Sequence, residues 1–281
     1  MTKSEKFKTH ISGVFTRASS QYSQIGPNFF TYSGKKLVEF ANVKEGAKVL
    51  DVACGRGAVL FPLSKAASAA GEVIGIDLAD GMVERTRSAL LHQGITNSKV
   101  VKMDAENLEF PDSSFDYVLC GLSLFFFPNL ERALSEILRV LEPGGLFVSS
   151  TFQKKEQDEN DETTKRWKEL FKSFEDSLKP IPCVETKSLD NEDEIMLFLS
   201  KAGFVKIEVA SDKKTFYFSS EDEWWETAWS HGARNFLERL DDEALVKYKE
   251  QAQNLIRLEK TEQGIPDTWH LLYSKAKKPQ L

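Results

Sequence analysis

The chain has 281 residues, 41% of them hydrophobic, so it is long enough to bury a full core and to fold alone. Its 37 basic and 43 acidic residues give a net charge of -6 without a dense basic block, which argues against nucleic acid as a partner. No apolar run approaches membrane-spanning length and the N-terminus lacks the apolar core of a secretory signal, so we expect a cytoplasmic protein without a membrane span.

Apolar runs with strand character alternate with helical stretches from residue 48 onwards. This alternation is typical of a parallel sheet with helices on both faces. The predicted strands are residues 48–52, 72–77, 98–102, 115–119, 146–151, 204–210 and 269–275. The predicted helices are residues 59–70, 80–93, 130–141 and 191–202.

The most informative segment runs from Val49 to Ala58, V-L-D-V-A-C-G-R-G-A, and Asp77 follows it at the end of the next strand. Two glycines after an apolar strand let the backbone approach a ligand, and an acid on the neighbouring strand end can hold a ribose diol. A dinucleotide would need a third glycine where Leu60 stands, and the Lys-Ser or Lys-Thr end of a phosphate-binding loop is absent. A nucleoside without phosphates is therefore favoured.

The motif D-x-A-C-G-x-G at residues 51–57 resembles the first motif of class I S-adenosylmethionine-dependent methyltransferases. Residues 74–82, 100–106, 115–122 and 138–147 resemble the later motifs of that family in the same order. The core looks most like the ubiquinone and menaquinone biosynthesis methyltransferases. The resemblance implies an α/β fold with a Rossmann-like, seven-stranded, mostly parallel sheet, helices on both faces, an antiparallel last strand and a helical cap.

The resemblance also implies S-adenosylmethionine as methyl donor and S-adenosylhomocysteine as product. In the family, the acid at the position of Asp77 binds both ribose hydroxyls, that of Asp104 borders the adenine, and that of Asp51 lies near the methionine moiety. Tyr22 is expected to lie across the donor, as in similar small-molecule methyltransferases. The expected donor contacts are Tyr22, Asp51, Ala53, Cys54, Gly55, Gly57, Asp77, Leu78, Met82, Asp104, Ala105, Glu106, Cys120, Gly121 and Leu122.

Segments outside the core are expected to carry substrate specificity, because insertions at the carboxyl ends of strands line the crevice of open α/β sheets. The expected division is an N-terminal helical cap at 1–43, a donor-binding core at 44–152, a lid insertion at 153–188, a continuation of the core at 189–218, a helical cap insertion at 219–264, and a closing strand and tail at 265–281. The lid insertion carries apolar residues at helical spacing: Trp167, Leu170, Phe171 and Phe174.

Aromatic residues near the expected methyl-transfer site suit a flat or apolar acceptor. Phe125 and Phe126 after the fourth strand, and Trp225 and Trp229 in the cap insertion, are expected to contact this acceptor, although a plain core role stays open for all four. His231 is the candidate base or substrate contact, with a partly exposed helix-end histidine as the alternative. The acceptor atom, the need for a base, the oligomeric state and the choice between a quinone and a natural-product substrate stay open.

The leading interpretation is an enzyme that transfers a methyl group to a small hydrophobic or aromatic metabolite by in-line displacement. A catalytically silent S-adenosylmethionine-binding module with a protein partner is one alternative, and a nicotinamide-dependent oxidoreductase is another. Cys54, Cys120 and Cys183 are odd in number and lack metal-ligand spacing, so neither a disulfide framework nor a metal site is expected.

Overall fold

The computed structural model describes residues 1–154 and 162–280, and within them seven strands form a single sheet. The strands are β1 (Lys48–Val52), β2 (Glu72–Asp77), β3 (Ser98–Lys102), β4 (Phe115–Gly121), β5 (Leu141–Phe152), β6 (Val205–Phe218) and β7 (Ile265–Lys277). Their order is β3-β2-β1-β4-β5-β7-β6. The first five pair in parallel, and β7 runs antiparallel to both β5 and β6, which confirms the predicted fold class.

Ten helices accompany these strands in the described ranges. They are α1 (Lys3–Ala18), α2 (Phe29–Ala41), α3 (Leu60–Ala67), α4 (Asp80–His92), α5 (Leu130–Val140), α6 (Glu162–Ser173), α7 (Glu192–Lys201), α8 (Glu221–Trp229), α9 (Arg234–Leu237) and α10 (Asp242–Leu258). Side-chain caps start several of them. Asn129, Asn191, Ser220 and Asp241 each accept a backbone N–H in the first turn, as residues at such positions commonly do.

Alternate residues of the central strands face opposite sides of the sheet, and each side carries its own apolar layer. Leu50, Val118 and Phe147 pack beneath α5 and α7. Their strand neighbours, among them Val49 and Leu119, pack beneath α2 and α3. This period-two alternation buries both faces, so the sheet is covered by helices on both sides as the sequence predicts.

The β6–β7 hairpin is longer than the predicted strands. β7 pairs with β5 only from Leu271 onwards, whereas its first six residues, 265–270, pair with β6 alone. This two-stranded extension lies beyond the layered core, where side chains no longer alternate cleanly between buried and exposed positions. Without that alternation the sequence carries no strand signal for the extension.

The cap, residues 219–264, lies between β6 and β7 and forms a separate apolar cluster. Trp225, Leu237 and Tyr248 are buried there together with Leu170 and Phe174. The helix predicted as a lid, α6, thus packs against α10. Residues 155–161 of the predicted lid insertion lie outside the described residues. None of the helices that the structure describes is both long and apolar enough to cross a bilayer.

Candidate functional site

A cavity of about 370 Å³ opens where β1, β2 and β4 end. Its floor is built from the residues that follow these strands, and its roof comes from α1, α2 and the turn between α8 and α9. Ligands of open α/β sheets bind at the carboxyl ends of the strands, close to the point where the strand order reverses. Here that point lies between β1 and β4, so the cavity occupies the expected place.

The loop after β1 uses its two glycines differently. Gly55, at φ +50°, lines the cavity, and a Cβ added there would meet no atom within 4 Å. At Gly57, with φ +85°, a Cβ would lie 2.6 Å from the ring of Phe61. Only the first glycine therefore leaves open volume for a ligand, whereas the second lets the loop pack on α3.

Asp77 ties this loop to the end of β2. One carboxylate oxygen accepts the backbone N–H of Gly55 at 2.8 Å, and the other accepts that of Ala79, also at 2.8 Å. Burial raises the pKa of Asp77, although these two hydrogen bonds favour its charged form. Each carboxylate oxygen keeps a further lone pair, so the group can still accept two hydroxyls, as a ribose diol requires.

Asp51 lies behind the loop and has 1% of its surface exposed. Neither carboxyl oxygen makes a normal hydrogen bond within the described residues, although the backbone N–H of Leu60 favours its charged form. Burial and then the nearby charge of Asp77 raise the pKa of Asp51 well above its usual range. A buried carboxyl without a partner is costly, so this position suits a cationic group or a water molecule brought in with a ligand.

Lys8 of α1 reaches across the cavity mouth to two acids. Its Nζ lies 2.8 Å from Asp104 Oδ2 and 2.5 Å from Glu106 Oε2. Burial works against the charge, but the two carboxylates together raise the pKa of Lys8. Glu106 also accepts the backbone N–H of Asn129 at 2.8 Å, so one buried glutamate connects α1 to the start of α5.

The remainder of the cavity wall is aromatic. Tyr22 stacks on Phe30 with ring centroids 4.7 Å apart, and Phe15 meets Phe126 edge to face at 5.3 Å. Burial, and to a lesser extent the charge of Asp77, raises the pKa of Tyr22, so it stays a neutral phenol. These rings offer flat apolar faces with few polar atoms.

His231 completes the wall from the turn between α8 and α9. Its Nδ1 accepts the backbone N–H of Ala233 at 3.2 Å, and its ring lies 6.1 Å from that of Phe30. Burial in this enclosed wall lowers the pKa of His231 to about 4. The imidazole is therefore neutral at neutral pH.

The cavity brings together most of the site residues predicted from the sequence. Those on its wall are Tyr22, Ala53, Gly55, Asp77, Leu78, Met82, Asp104, Ala105, Glu106, Gly121, Leu122, Phe125, Phe126 and His231. The wall also contains residues that were not among the predicted site residues, such as Lys8, Met103, Phe152 and Trp269. Lys8 looks like an ordinary surface lysine in the sequence, because its two partners lie 96 and 98 residues further along the chain.

Other predicted site residues lie off the wall. Cys54 packs beneath the loop, where a Cβ on Gly75 would come within 2.9 Å of its Sγ, and Cys120 Sγ lies 3.0 Å from Ser123 Oγ. Asp51 and Gly57 also lie behind the wall. All four therefore lie one layer behind the cavity wall.

The two predicted cap tryptophans also lie elsewhere. Trp225 is buried against Tyr248 of α10, and Trp229 packs on the guanidinium of Arg234 at 5.4 Å. They are absent from the cavity wall because α8 turns its aromatic face into the cap cluster. This placement corrects the expectation that they contact the acceptor.

The described residues contain no group of three or more potential metal ligands.

Comparison with known sequences gives a consistent set of relatives. A sequence profile of the ubiE/COQ5 methyltransferase family matches residues 1–211. Aklanonic acid methyltransferase DauC from a Streptomyces species is 38% identical over 149 residues, which are 52% of this chain and 68% of that protein. A demethylmenaquinone methyltransferase from Staphylococcus haemolyticus is 31% identical over 230 residues, covering 75% of this chain and 92% of that protein.

Solved structures share the fold at low identity. A methyltransferase structure from Bacillus halodurans superimposes with a TM-score of 0.60 at 22% identity, covering 89% of this chain and 100% of that one. An N-methyltransferase from Haemonchus contortus, solved with S-adenosylhomocysteine, gives a TM-score of 0.55 at 20% identity over 91% of this chain and 54% of that one. The fold is thus one that binds this nucleoside product in another protein.

Proposed function

The chain belongs to the ubiE/COQ5 methyltransferase family and is an S-adenosylmethionine-dependent enzyme that methylates small molecules, and from this premise we propose that its acceptor is a planar, apolar metabolite. The single observation that carries the proposal is the lining of the cavity. Its floor carries polar groups that suit a nucleoside, and its adjoining wall is aromatic. The names of the relatives give demethylmenaquinone and aklanonic acid as acceptors of those enzymes. Here the acceptor class follows from the wall.

The residues on the floor fit the donor. The open volume over Gly55 accommodates a ligand close to the backbone, and Asp77 keeps two lone pairs for the ribose hydroxyls. Asp104 and the apolar side chains of Leu78 and Met82 would border the adenine. When bound, S-adenosylmethionine supplies a methyl group on a positively charged sulfur.

Asp51 is proposed to face the donor's amino group from behind the loop. Its carboxyl has no hydrogen-bond partner among the described residues and is almost fully buried. A cation brought near would stabilise the ionised form, which burial and the nearby charge of Asp77 disfavour. A group of this kind serves to orient the donor and takes no proton from the acceptor.

The aromatic wall aligns the acceptor and excludes water. The roof is held down by Lys8, and Arg17 of α1 makes a bidentate contact with Glu238 next to α9. His10 Nε2 and Asn235 Oδ1 lie 2.7 Å apart across the same junction. Because the donor is already activated, alignment is the main task left to the protein. Alignment of two reactants in a dry pocket can supply about 7–11 kcal/mol of the barrier reduction in favourable cases.

The two other functions that the sequence left open are less well supported. A nicotinamide dinucleotide would need a glycine where Leu60 is fully buried against the sheet. A silent binding module is disfavoured because the family and its relatives are methyltransferases. We also propose a cytoplasmic location, which is supported by the three free cysteines, because cysteines in oxidising compartments are commonly paired in disulfides.

Calorimetric titration tests the donor site. We expect S-adenosylmethionine and S-adenosylhomocysteine to bind and NADH to give no heat of binding. Methyl-labelled donor is then incubated with a panel of lipophilic phenols, quinols and indoles, and labelled product is extracted. Binding of NADH alone would overturn the proposal, and tight donor binding without transfer to any planar compound would favour the silent module.

A further inference from the structure

His231 is a neutral side chain at the aromatic wall, where a base for the acceptor would be sought. Resting on the proposed function, we propose that His231 acts as a hydrogen-bond donor and that its Nε2–H holds one oxygen of an acceptor that enters the cavity as a delocalised oxyanion. Such an acceptor shares its negative charge between that oxygen and a second, conjugated atom. The site would then select planar compounds acidic enough to ionise without help from the protein.

The hydrogen bond at Nδ1 decides the tautomer. The backbone N–H of Ala233 can only donate, so Nδ1 of His231, at 3.2 Å, must be the acceptor. In a neutral imidazole with an unprotonated Nδ1, the proton is on Nε2. The nitrogen that would have to take a proton from the acceptor is therefore already protonated.

Nε2 is available to a ligand. His231 lines the cavity, and within the described residues Nε2 has no hydrogen-bond partner. Unlike the carboxyl oxygens of Asp51, this nitrogen is accessible to solvent. The Nε2–H is thus a free donor on the cavity surface, next to the ring of Phe30.

The other ionisable groups of the wall do not replace it as a base. Lys8 is bound to two carboxylates, Asp77 is taken up by two backbone N–H groups and by the ribose in the proposed function, and Tyr22 is a neutral phenol, which is too weak a base to take a proton. The charged and titratable groups on the packed faces of α1 and α9 are also engaged with one another: His10 with Asn235, and Arg17 and Arg234 with Glu238. Within the described structure, an acceptor that needs deprotonation finds no free base at this wall.

An oxyanion acceptor removes the need for a base. Its electron pair on the second, conjugated atom forms the bond to the methyl carbon, while the carbon–sulfur bond breaks and its electron pair stays on sulfur. The positive charge of the sulfonium and the negative charge of the acceptor disappear together, so this step moves no proton to or from the protein. Where the second atom is a ring carbon, its hydrogen leaves as a proton to water afterwards. A fixed N–H on the first oxygen stabilises the bound anion and directs the second atom towards the methyl group.

The experiment measures the ionisation of a coloured probe without turnover. 4-Nitro-1-naphthol is bound to the enzyme saturated with S-adenosylhomocysteine, and its absorbance is titrated with pH in the wild type and in His231→Leu and His231→Gln variants. We expect the wild type to favour the ionised probe about tenfold more than His231→Leu does, because a charge-assisted hydrogen bond is lost. His231→Gln should restore most of the preference, since its amide retains an N–H donor.

His92→Leu is the matched control, since His92 lies exposed at the end of α4, and it should ionise the probe as the wild type does. Failure of the probe to bind, equal ionisation in the wild type and His231→Leu, or a His231→Gln variant that behaves like His231→Leu would each overturn the inference. Calorimetry with S-adenosylhomocysteine on the same proteins separates the two proposals. Loss of that binding in the wild type contradicts the proposed function, whereas intact binding with an unchanged probe contradicts the role of His231 alone.

Discussion

The floor and the roof of the cavity are held in place by different kinds of contact. On the floor, the backbone of the glycine loop is fixed to the adjacent strand, because Cys54 N–H donates to the carbonyl of Ile76 and Gly55 N–H donates to the carboxylate of Asp77. The roof is fixed by side-chain pairs between distant segments, such as Lys8 with Asp104. The floor therefore depends on sheet topology, whereas the roof can change with a few side chains while the floor stays intact.

The largest expected effect tests how much a fully buried side chain of the sheet contributes to stability. Phe147→Ala opens a cavity in the fully buried layer of β5 and should lower the free energy of unfolding by about 3–5 kcal/mol. Phe171→Ala on α6 is the control, because 44% of Phe171 is already exposed and its loss should cost much less. Urea unfolding measures both, and equal losses would contradict the comparison.

Asp77→Ala tests the floor itself. It removes the charged hydrogen bonds proposed for the ribose, so donor affinity should fall by about 1–3 kcal/mol in a calorimetric titration. Asp80→Ala, three residues further on and paired only at the surface with Lys102, should bind the donor normally. Unchanged affinity in Asp77→Ala would remove Asp77 from the donor site.

Lys8→Met tests the roof. The change leaves the buried carboxylate of Glu106 without its cation, so unfolding should cost about 1–2 kcal/mol less and bound S-adenosylhomocysteine should dissociate faster. Lys6→Met on the exposed side of α1 is the control. Stopped-flow displacement gives the dissociation rate, and identical rates in all three proteins would show that α1 does not retain the ligand.

The smallest expected effect concerns stability at low pH, through the ion pairs that Glu238 makes at the junction of α1 and α9. Hydrogen bonds from Arg17, and secondarily from Arg234, hold the pKa of Glu238 below its ordinary value, although burial opposes them. The stabilisation from ionised Glu238 is therefore complete above the pKa of a glutamate in the unfolded chain, which is about 4.3. It is lost as the pH falls through the lower pKa of the folded protein. Glu238→Gln should remove about 1 kcal/mol or less of this acid-dependent stability, whereas Glu226→Gln at an exposed position should not.

The sheet was predictable from sequence because its signal is local. β1, β2 and β3 have the predicted bounds, since each is a short apolar run between turn residues. The predicted floor residues Asp77 and Gly55 likewise follow from their place at strand ends. In parallel sheets these ends meet at one edge, so position along the chain translates directly into position in the site.

The roof was not predictable in the same way. Lys8 contacts acids 96 and 98 residues away, and no local pattern marks such a pair. Trp225 and Trp229 were misplaced because tryptophans of an amphipathic helix pack equally well into a cap cluster or a cleft, and the choice depends on α10. His231 was predicted as a site residue from its place in the tryptophan-rich cap insertion. Its tautomer could not be predicted, because it depends on one hydrogen bond from the backbone N–H of Ala233.

The two ends of the cap leave the sheet at paired positions, Phe218 opposite Ile265. Residues 219–264 can therefore be exchanged for another polypeptide segment, or for a tight turn, without shifting the register of any strand. Such an exchange would bring a new residue in place of His231 while Gly55 and Asp77 stay where they are. The part of acceptor recognition proposed for His231 is accordingly a graftable property of one connection between two strands, whereas the aromatic wall stays with the rest of the chain.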